Sequence, residues 1–185
     1  NMKIIKYPNK DQWAELLARP AFDNSSLTET VRGVLNDVRT RGDVAVKEYE
    51  LKFDKVELDS LCVSATEIEE AENLISTELK SAICAAKDNI ARFHAAQDQE
   101  LPTVETMPGV KSWQRAMPIQ KVGLYIPGGT APLFSTVLML AVPAQIAGCT
   151  EIVLCSPPSK NGKIHPAVLY AAKVAGVSKI FKIGG

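Results

Sequence analysis

The stretch KVGLYIPGGTAPLFSTVLMLAVPAQIAG, residues 121–148, determines how the chain is expected to fold. It begins as an apolar strand at Val122–Ile126, breaks at the turn Pro127–Gly129, and resumes as an apolar helix that ends at Gly148. A strand, a glycine turn and a helix in this order form the unit on which α/β proteins build ligand sites, because ligands bind outside the carboxyl ends of parallel strands.

Two further apolar runs, at Ile152–Cys155 and Ile180–Ile183, repeat the character of the first strand. None of the three alternates regularly with polar residues, which is typical of strands buried on both faces. Helical segments at Leu133–Ala147 and Pro166–Ala175 separate them. The order of these elements predicts the α/β class, with a parallel βαβαβ unit and right-handed crossovers.

The residues before this unit are predominantly helical. Apolar residues recur at helical spacing through Lys10–Ala96, so each helix has an apolar face. The four residues Thr66–Glu69 fit a capping box, and Ser76 fits the N-cap of the next helix. We expect residues 1–120 to form the mainly helical part of one domain and residues 121–185 to begin a second, α/β domain.

Two short segments are expected to be extended. Val56–Val63 alternates loosely between apolar and polar residues. Val110–Met117 alternates in part and follows the turn pair Pro108–Gly109, which predicts a strand after a turn.

The charge balance limits the classes of partner. Lys and Arg total 21, and Asp and Glu also total 21, so the formal net charge is zero. Proteins that bind nucleic acid or anionic membranes usually carry a basic excess, so neither partner is expected. No apolar run reaches the length of a membrane span and the N-terminus lacks a signal-peptide pattern, which favours a cytoplasmic protein.

Four cysteines, Cys62, Cys84, Cys149 and Cys155, lie in or beside apolar segments and show no C-x-x-C spacing. We expect buried free thiols, as in most cytosolic proteins. A reactive thiol is the alternative interpretation. Cys149 and Cys155 are the better candidates for it because they flank a strand of the α/β part.

The Gly128–Gly129 pair is the best candidate for a ligand site, although neither G-x-G-x-x-G nor G-x-x-x-x-G-K-[ST] occurs. It could be a tight strand-to-helix turn, or a place where backbone N–H groups approach a ligand. Tyr125 would add a ring to pack on. His94 and His165 show no metal-ligand spacing, and His165 is expected to cap a helix. These residues indicate an α/β small-molecule enzyme, with nucleotide binding as one option.

Five stretches together closely resemble the N-terminal half of the histidinol dehydrogenase family. They are VGLYIPGGTAPLFSTVLMLAVPAQIAGC (122–149), RGDVAVKEYELKFD (41–54), NIARFH (89–94), PGVKSWQRAMPIQ (108–120) and EIVLCSPP (151–158). The likeness runs in order through nearly the whole chain, so it is more specific than any single motif.

The resemblance implies an activity and a fold. The family oxidises L-histidinol to L-histidine by way of the aldehyde, using two NAD and one zinc, in the last step of histidine biosynthesis. Its members are homodimers with two incomplete Rossmann-like domains, akin to the aldehyde dehydrogenase fold. That fold would explain the use of NAD without a G-x-G-x-x-G sequence.

The resemblance also implies that the catalytic half is absent. Family members are more than twice as long as this chain, and their zinc ligands and proton-transferring Glu-His pair correspond to sequence beyond Gly185. We therefore expect an N-terminal portion that has no catalytic or metal-ligating residue of its own and is inactive alone. The helical part, residues 1–120, would belong to a domain that later sequence completes.

Part of the cofactor site can be carried over from the family. The tyrosine of its LYxPGG motif contacts NAD, which here implies Tyr125. Pro127, Gly128 and Gly129 would line the same turn. Ser135, in the helix that follows, would be a substrate contact.

Two other interpretations stay open at this point. The first is another aldehyde dehydrogenase-like enzyme, which would need a nucleophilic cysteine such as Cys149 or Cys155 for a thioester step. The second is a binding module without catalytic activity that uses the turn Pro127–Gly129.

Overall fold

A computed structural model describes residues 4–19, 25–97, 101–129 and 131–185 of the chain. It divides into two compact units, residues 1–41 and residues 42–185. The domain boundary expected near residue 120 stays a prediction. None of the helices in the described ranges is long and apolar enough to cross a membrane.

Helices dominate the first hundred residues, and strands alternate with helices afterwards. The helices are α1 (Trp13–Leu16), α2 (Ser25–Arg41), α3 (Asp43–Tyr49), α4 (Ala65–Leu74), α5 (Thr77–Ala95), α6 (Phe134–Ile146) and α7 (Pro166–Val174). The strands are β1 (Val104–Met107), β2 (Val110–Ser112), β3 (Lys121–Tyr125), β4 (Glu151–Ser156) and β5 (Lys179–Lys182). A 3₁₀ turn at Lys10–Gln12 precedes α1, and a π-helical turn at Glu50–Asp54 extends α3.

The strands β3, β4 and β5 form one parallel sheet in that order. The register places Tyr125 opposite Cys155 and Cys155 opposite Phe181, so these three residues form a row across the sheet. Helix α6 connects β3 to β4, and α7 connects β4 to β5. The predicted parallel βαβαβ unit is therefore confirmed.

The core lies between one face of this sheet and the helices. Leu154 and Ile180 project from that face into a cluster with Leu138 of α6 and Ala171 of α7. Helices α4 and α5 pack on the far side of α7 and α6, and α5 contributes the fully buried Ile83. Strand residues alternate between the two faces, so the row that contains Tyr125 lies on the opposite face of the sheet.

The segment before α4 closes the outer edge of β5. The Val63 N–H donates to the Ile180 carbonyl over 2.9 Å, and the Lys182 N–H donates to the Leu61 carbonyl over 2.7 Å. Cys62 pairs antiparallel with Phe181 between them. Of the extended segment predicted at Val56–Val63, only residues 61–63 pair with the sheet, through one isolated bridge at Cys62, and the segment forms no strand.

The capping box of α4 lies two residues earlier than predicted. Ser64, and not Thr66, is the N-cap: its Oγ accepts the Glu67 N–H over 3.1 Å, and Glu67 Oε2 accepts the Ser64 N–H over 3.0 Å. Thr66 is already helical. The predicted N-cap at Ser76 is confirmed, since its Oγ accepts the Leu79 N–H over 3.1 Å.

The strand predicted at Val110–Met117 is shorter than expected. It ends at Ser112 and pairs antiparallel with β1, a strand that the sequence pattern did not predict. Gly109 connects the two with φ of 81°, a conformation that favours glycine. Both strands of this hairpin are exposed, so a longer strand pairing would bury little additional apolar surface.

Candidate cofactor site at the carboxyl edge of the sheet

A cavity of about 200 Å³ opens where β3 and β4 end. This is the edge at which open α/β sheets bind their ligands. The lining combines the turn after β3, the start of α6, the loop after β4 and the start of α7. It consists of Ile126, Pro127, Gly128, Gly129, Ala131, Pro132, Leu133, Ser156, Pro157, Ser159, Ile164, His165 and Val168.

The two glycines of the turn differ in what surrounds them. A Cβ on Gly128 would lie 2.7 Å from Cγ of Pro157, so packing against the loop after β4 requires a glycine there. A Cβ on Gly129 would meet no described atom within 4 Å. Neither residue has a positive φ, so backbone strain explains neither of them. Packing thus accounts for Gly128, whereas the space beside Gly129 is open.

His165 lies at the cavity as the N-cap of α7. Its Nδ1 accepts the Ala167 N–H over 3.2 Å, which satisfies one of the unpaired donors of the first helical turn. The expectation that His165 has a local structural role is confirmed. Ser135 lies exposed in the first turn of α6 and does not line this cavity.

Tyr125 projects from the other face of the sheet and does not line the cavity either. Its side chain is 45% exposed. Burial and the negative charges of Asp54 and Glu50 raise the pKa of the Tyr125 hydroxyl. A backbone hydrogen bond from Gly185 opposes part of this rise. The structure therefore brings Pro127, Gly128 and Gly129 together, with Tyr125 on the adjoining face of the same edge.

The acidic residues beside Tyr125 were not predicted as part of a site. Glu50 and Asp54 lie on the π-helical turn, and Glu50 is only 3% exposed. The position of Glu50 in the sequence could have revealed it, because Glu50 continues the buried face of α3 that begins with Ala45 and Val46. Helical residues four apart share a face, so a charged residue at this point of an apolar face was unusual.

The same turn carries an aromatic pair. The rings of Tyr49 and Phe53 stack with centroids 5.8 Å apart and an interplanar angle of 8°. Phe53 is 60% exposed, and Lys52 Nζ lies 5.2 Å from its ring centroid. The turn thus carries an exposed aromatic ring in addition to its two carboxyl groups.

The described residues contain no cluster of three or more His, Cys, Asp or Glu that could hold a metal ion. The four cysteines are free, but the prediction that they are buried is wrong: Cys62 is exposed, and the other three are half-buried. Burial raises the pKa of the Cys155 thiol, which lowers its thiolate fraction near neutral pH. This environment does not favour a nucleophilic cysteine.

The sequence profile of a family described as "Histidinol dehydrogenase" matches residues 17–185. The chain belongs to the histidinol dehydrogenase family. A histidinol dehydrogenase of Bacteroides thetaiotaomicron is 67% identical over 184 residues, which are 100% of this chain and 43% of that protein. One from Escherichia coli is 52% identical over 176 residues, which are 95% of this chain and 40% of that protein.

A solved histidinol dehydrogenase structure has the same fold over this part. The crystal structure of the enzyme from Elizabethkingia anophelis superposes with a TM-score of 0.91 at 46% sequence identity. The match covers 96% of this chain and 41% of that one. The chain therefore spans less than half the length of the family members it matches.

Proposed function

We propose that this chain is the N-terminal portion of an enzyme that oxidises L-histidinol to L-histidine by way of the aldehyde, with NAD as the oxidant. The enzyme would serve the last step of histidine biosynthesis. Membership of the histidinol dehydrogenase family and the names of relatives up to 67% identical support this activity.

The open space beside Gly129 is the observation that best supports a cofactor at this turn. Packing requires glycine at position 128 but no described atom requires it at position 129. A glycine without a steric or conformational need marks a place where a ligand can approach the backbone closely.

The proposed NAD site extends over the edge of the sheet. Pro127, Gly128 and Gly129 contribute the turn, and Tyr125 contributes its ring from the adjoining face. Tyr125 and Gly128 are three residues apart, a chain distance of at most about 11 Å, so one dinucleotide can contact both. Ser135 is proposed as a substrate contact because it lies exposed one residue into the helix that follows the turn.

Zinc dependence belongs to the proposal for the longer protein. Zinc is bound by three or four Cys, His or carboxylate ligands. The described residues bring no such set together, so they do not fit a zinc site. In this proposal the zinc ligands and the catalytic residues lie outside this chain.

The remaining elements of the proposal concern partners and location. The longer enzyme is proposed to be a cytoplasmic homodimer that binds L-histidinol and does not bind nucleic acid or membranes. The zero net charge supports the last two points, since no basic excess is present to attract polyanions.

Enzyme assays test this function directly. Formation of NADH from L-histidinol is followed by absorbance, with added zinc, for the 185-residue chain and for the longer protein that contains it. We expect turnover by the longer protein and none above background by the chain alone. Turnover by the chain alone would contradict the proposed position of the catalytic residues, and an inactive longer protein would contradict the activity.

A further inference from the structure

The carboxyl group of Glu50 is buried and only half satisfied. Its Oε1 accepts the N–H of Gly184 over 2.6 Å, at the end of β5. Its Oε2 is out of contact with solvent and has no hydrogen-bond partner among the described residues. Burying a charged group without full pairing is costly, so such an arrangement requires an explanation.

A second carboxyl group lies in the same place. Asp54 is four residues further along the π-helical turn, and a Cβ added to Gly184 would overlap its Oδ2. A Cβ on Gly185 would lie 2.9 Å from the ring and the hydroxyl of Tyr125. The glycine pair after β5 therefore passes between two carboxyl groups and a tyrosine ring, where no side chain fits.

Among the described residues, no positively charged group acts on the buried carboxyl group of Glu50. The titratable groups that face Glu50 are Asp54 on its own turn and Tyr125 on β3, and Cys155 of β4 lies beside that tyrosine. Burial raises the pKa of Glu50, the N–H of Gly184 lowers it, and the nearby carboxyl group of Asp54 raises it further. The net effect is that the pKa of Glu50 lies above its ordinary value of 4.5.

We propose that Glu50 is a positioning residue whose carboxyl group holds the glycine pair Gly184–Gly185 against Tyr125 and so fixes one wall of the cofactor site. In the protonated form it accepts the Gly184 N–H while lying next to Asp54 without repulsion. Ionisation strengthens the bond from the Gly184 N–H but places two negative charges side by side in a buried position, and the net rise of the pKa means that burial and repulsion outweigh that bond, so the glycine pair is held less firmly. This role rests on the proposed function, because it assigns a purpose to the Tyr125 wall.

The first test measures the backbone at Gly184 and does not depend on the cofactor. In the longer protein labelled with ¹⁵N-glycine, where Gly185 has no terminal carboxylate, the chemical shift of the Gly184 amide is recorded as a function of pH. We expect a transition with a midpoint above 4.5, the ordinary value for a glutamate. Glu50→Gln, which mimics the protonated form, should abolish the transition. Glu57→Gln, the same substitution on an exposed residue, should preserve it.

The outcomes of this first test are distinct. A Gly184 amide that does not titrate, or that titrates at or below 4.5, would overturn the proposal. Glu50→Ala should reduce the hydrogen-exchange protection of the Gly184 amide, and Glu50→Gln should restore it. Equal loss of hydrogen-exchange protection in both variants would mean that Glu50 only fills space. Circular dichroism confirms that each variant is folded before it is compared.

The second test measures the cofactor site in the longer protein. The dissociation constant of NADH is determined by fluorescence across the pH range of the Gly184 transition. We expect it to rise about tenfold through that midpoint in the wild-type protein, and to stay constant in Glu50→Gln. Glu57→Gln should follow the wild type.

The two ways in which the second test can fail are distinguishable. NADH binding that is tight but independent of pH in the wild-type protein would overturn the role of Glu50 and leave the proposed function intact. Absence of NADH binding in every variant and at every pH would overturn the proposed function, and the role of Glu50 in the site with it.

Discussion

Lys182 Nζ lies 2.7 Å from Glu67 Oε1, and the two side chains are only 10% and 18% exposed. The pair joins the end of β5 to the first turn of α4 on the core side of the sheet. Burial alone would raise the pKa of Glu67, but hydrogen bonds from Lys182 and Ser64, with the charge of the lysine, lower it overall. Glu67 is therefore both a member of the α4 capping box and the partner of a buried cation.

Removing the cation from this pair should destabilise the fold. Lys182→Met keeps the length of the side chain but leaves the Glu67 carboxylate largely buried without its partner, at a cost of about 3 kcal/mol. Lys179→Met is the matched control: Lys179 Nζ lies 3.8 Å from Glu151 on the surface, so this substitution should change the free energy of unfolding much less. Urea unfolding measures both values, and equal losses would contradict this account.

The same pair predicts a dependence of stability on pH. A folded-state pKa below the ordinary 4.5 means that the unfolded chain binds the proton more tightly. The stability from Glu67 is therefore present above 4.5 and is lost as the pH falls through the folded pKa. In Lys182→Met the acid-induced loss should be smaller than in the wild type. Unfolding free energies that decline equally in both proteins would show that the pair does not couple to folding.

The position of the α4 cap predicts a difference between two neighbouring hydroxyl residues. Ser64→Ala removes the acceptor for the Glu67 N–H and should cost about 1 kcal/mol. Thr66→Ala, which removes a hydroxyl at an exposed helical position, should be neutral or slightly stabilising, since alanine is the better helix former. Thermal unfolding compares the stability of the two variants. A larger loss of stability in Thr66→Ala than in Ser64→Ala would place the cap at Thr66.

The two glycines of the turn after β3 should respond to substitution in opposite ways. Gly128→Ala places a methyl group against Pro157 and should destabilise the protein by about 1–3 kcal/mol. Gly129→Ala adds a Cβ that meets no described atom within 4 Å, so the free energy of unfolding should change little. In the longer protein it should instead raise the KM for NAD about tenfold, equivalent to about 1.4 kcal/mol. A normal KM for NAD in that variant would argue against a cofactor at the turn.

The sequence predicted the α/β unit well because its signals are local. Each buried strand is a short apolar run, each connecting helix has glycine or proline near its ends, and the order alone implies a parallel sheet. The expected helix Leu133–Ala147 begins and ends within one residue of α6. Such elements depend little on contacts with distant residues.

The cap of α4 shows where local signals are ambiguous. Ser64 and Glu67 fit the capping pattern as well as Thr66 and Glu69 do, because both frames place a hydroxyl residue three positions before a glutamate. The ion pair of Glu67 with Lys182 is specific to the first frame. That partner is distant in sequence, so the pattern alone could not select between the frames.

The surroundings of Tyr125 show what a pattern of this kind cannot reveal. Its motif places it next to the glycine turn in sequence, yet strand alternation places its ring on the opposite face from the cavity. The groups that act on it, Glu50, Asp54 and Gly185, are all more than fifty residues away in sequence. Only the fold brings them together at the carboxyl edge.

Equilibrium binding of NADH to the longer protein, with and without the Tyr125 ring, tests the central claim most directly. Loss of the aromatic surface in Tyr125→Ala should weaken binding about tenfold, equivalent to about 1.4 kcal/mol. Tyr125→Phe keeps the ring and should bind nearly as tightly as the wild-type protein. An unchanged dissociation constant in Tyr125→Ala would contradict a cofactor site at this edge of the sheet.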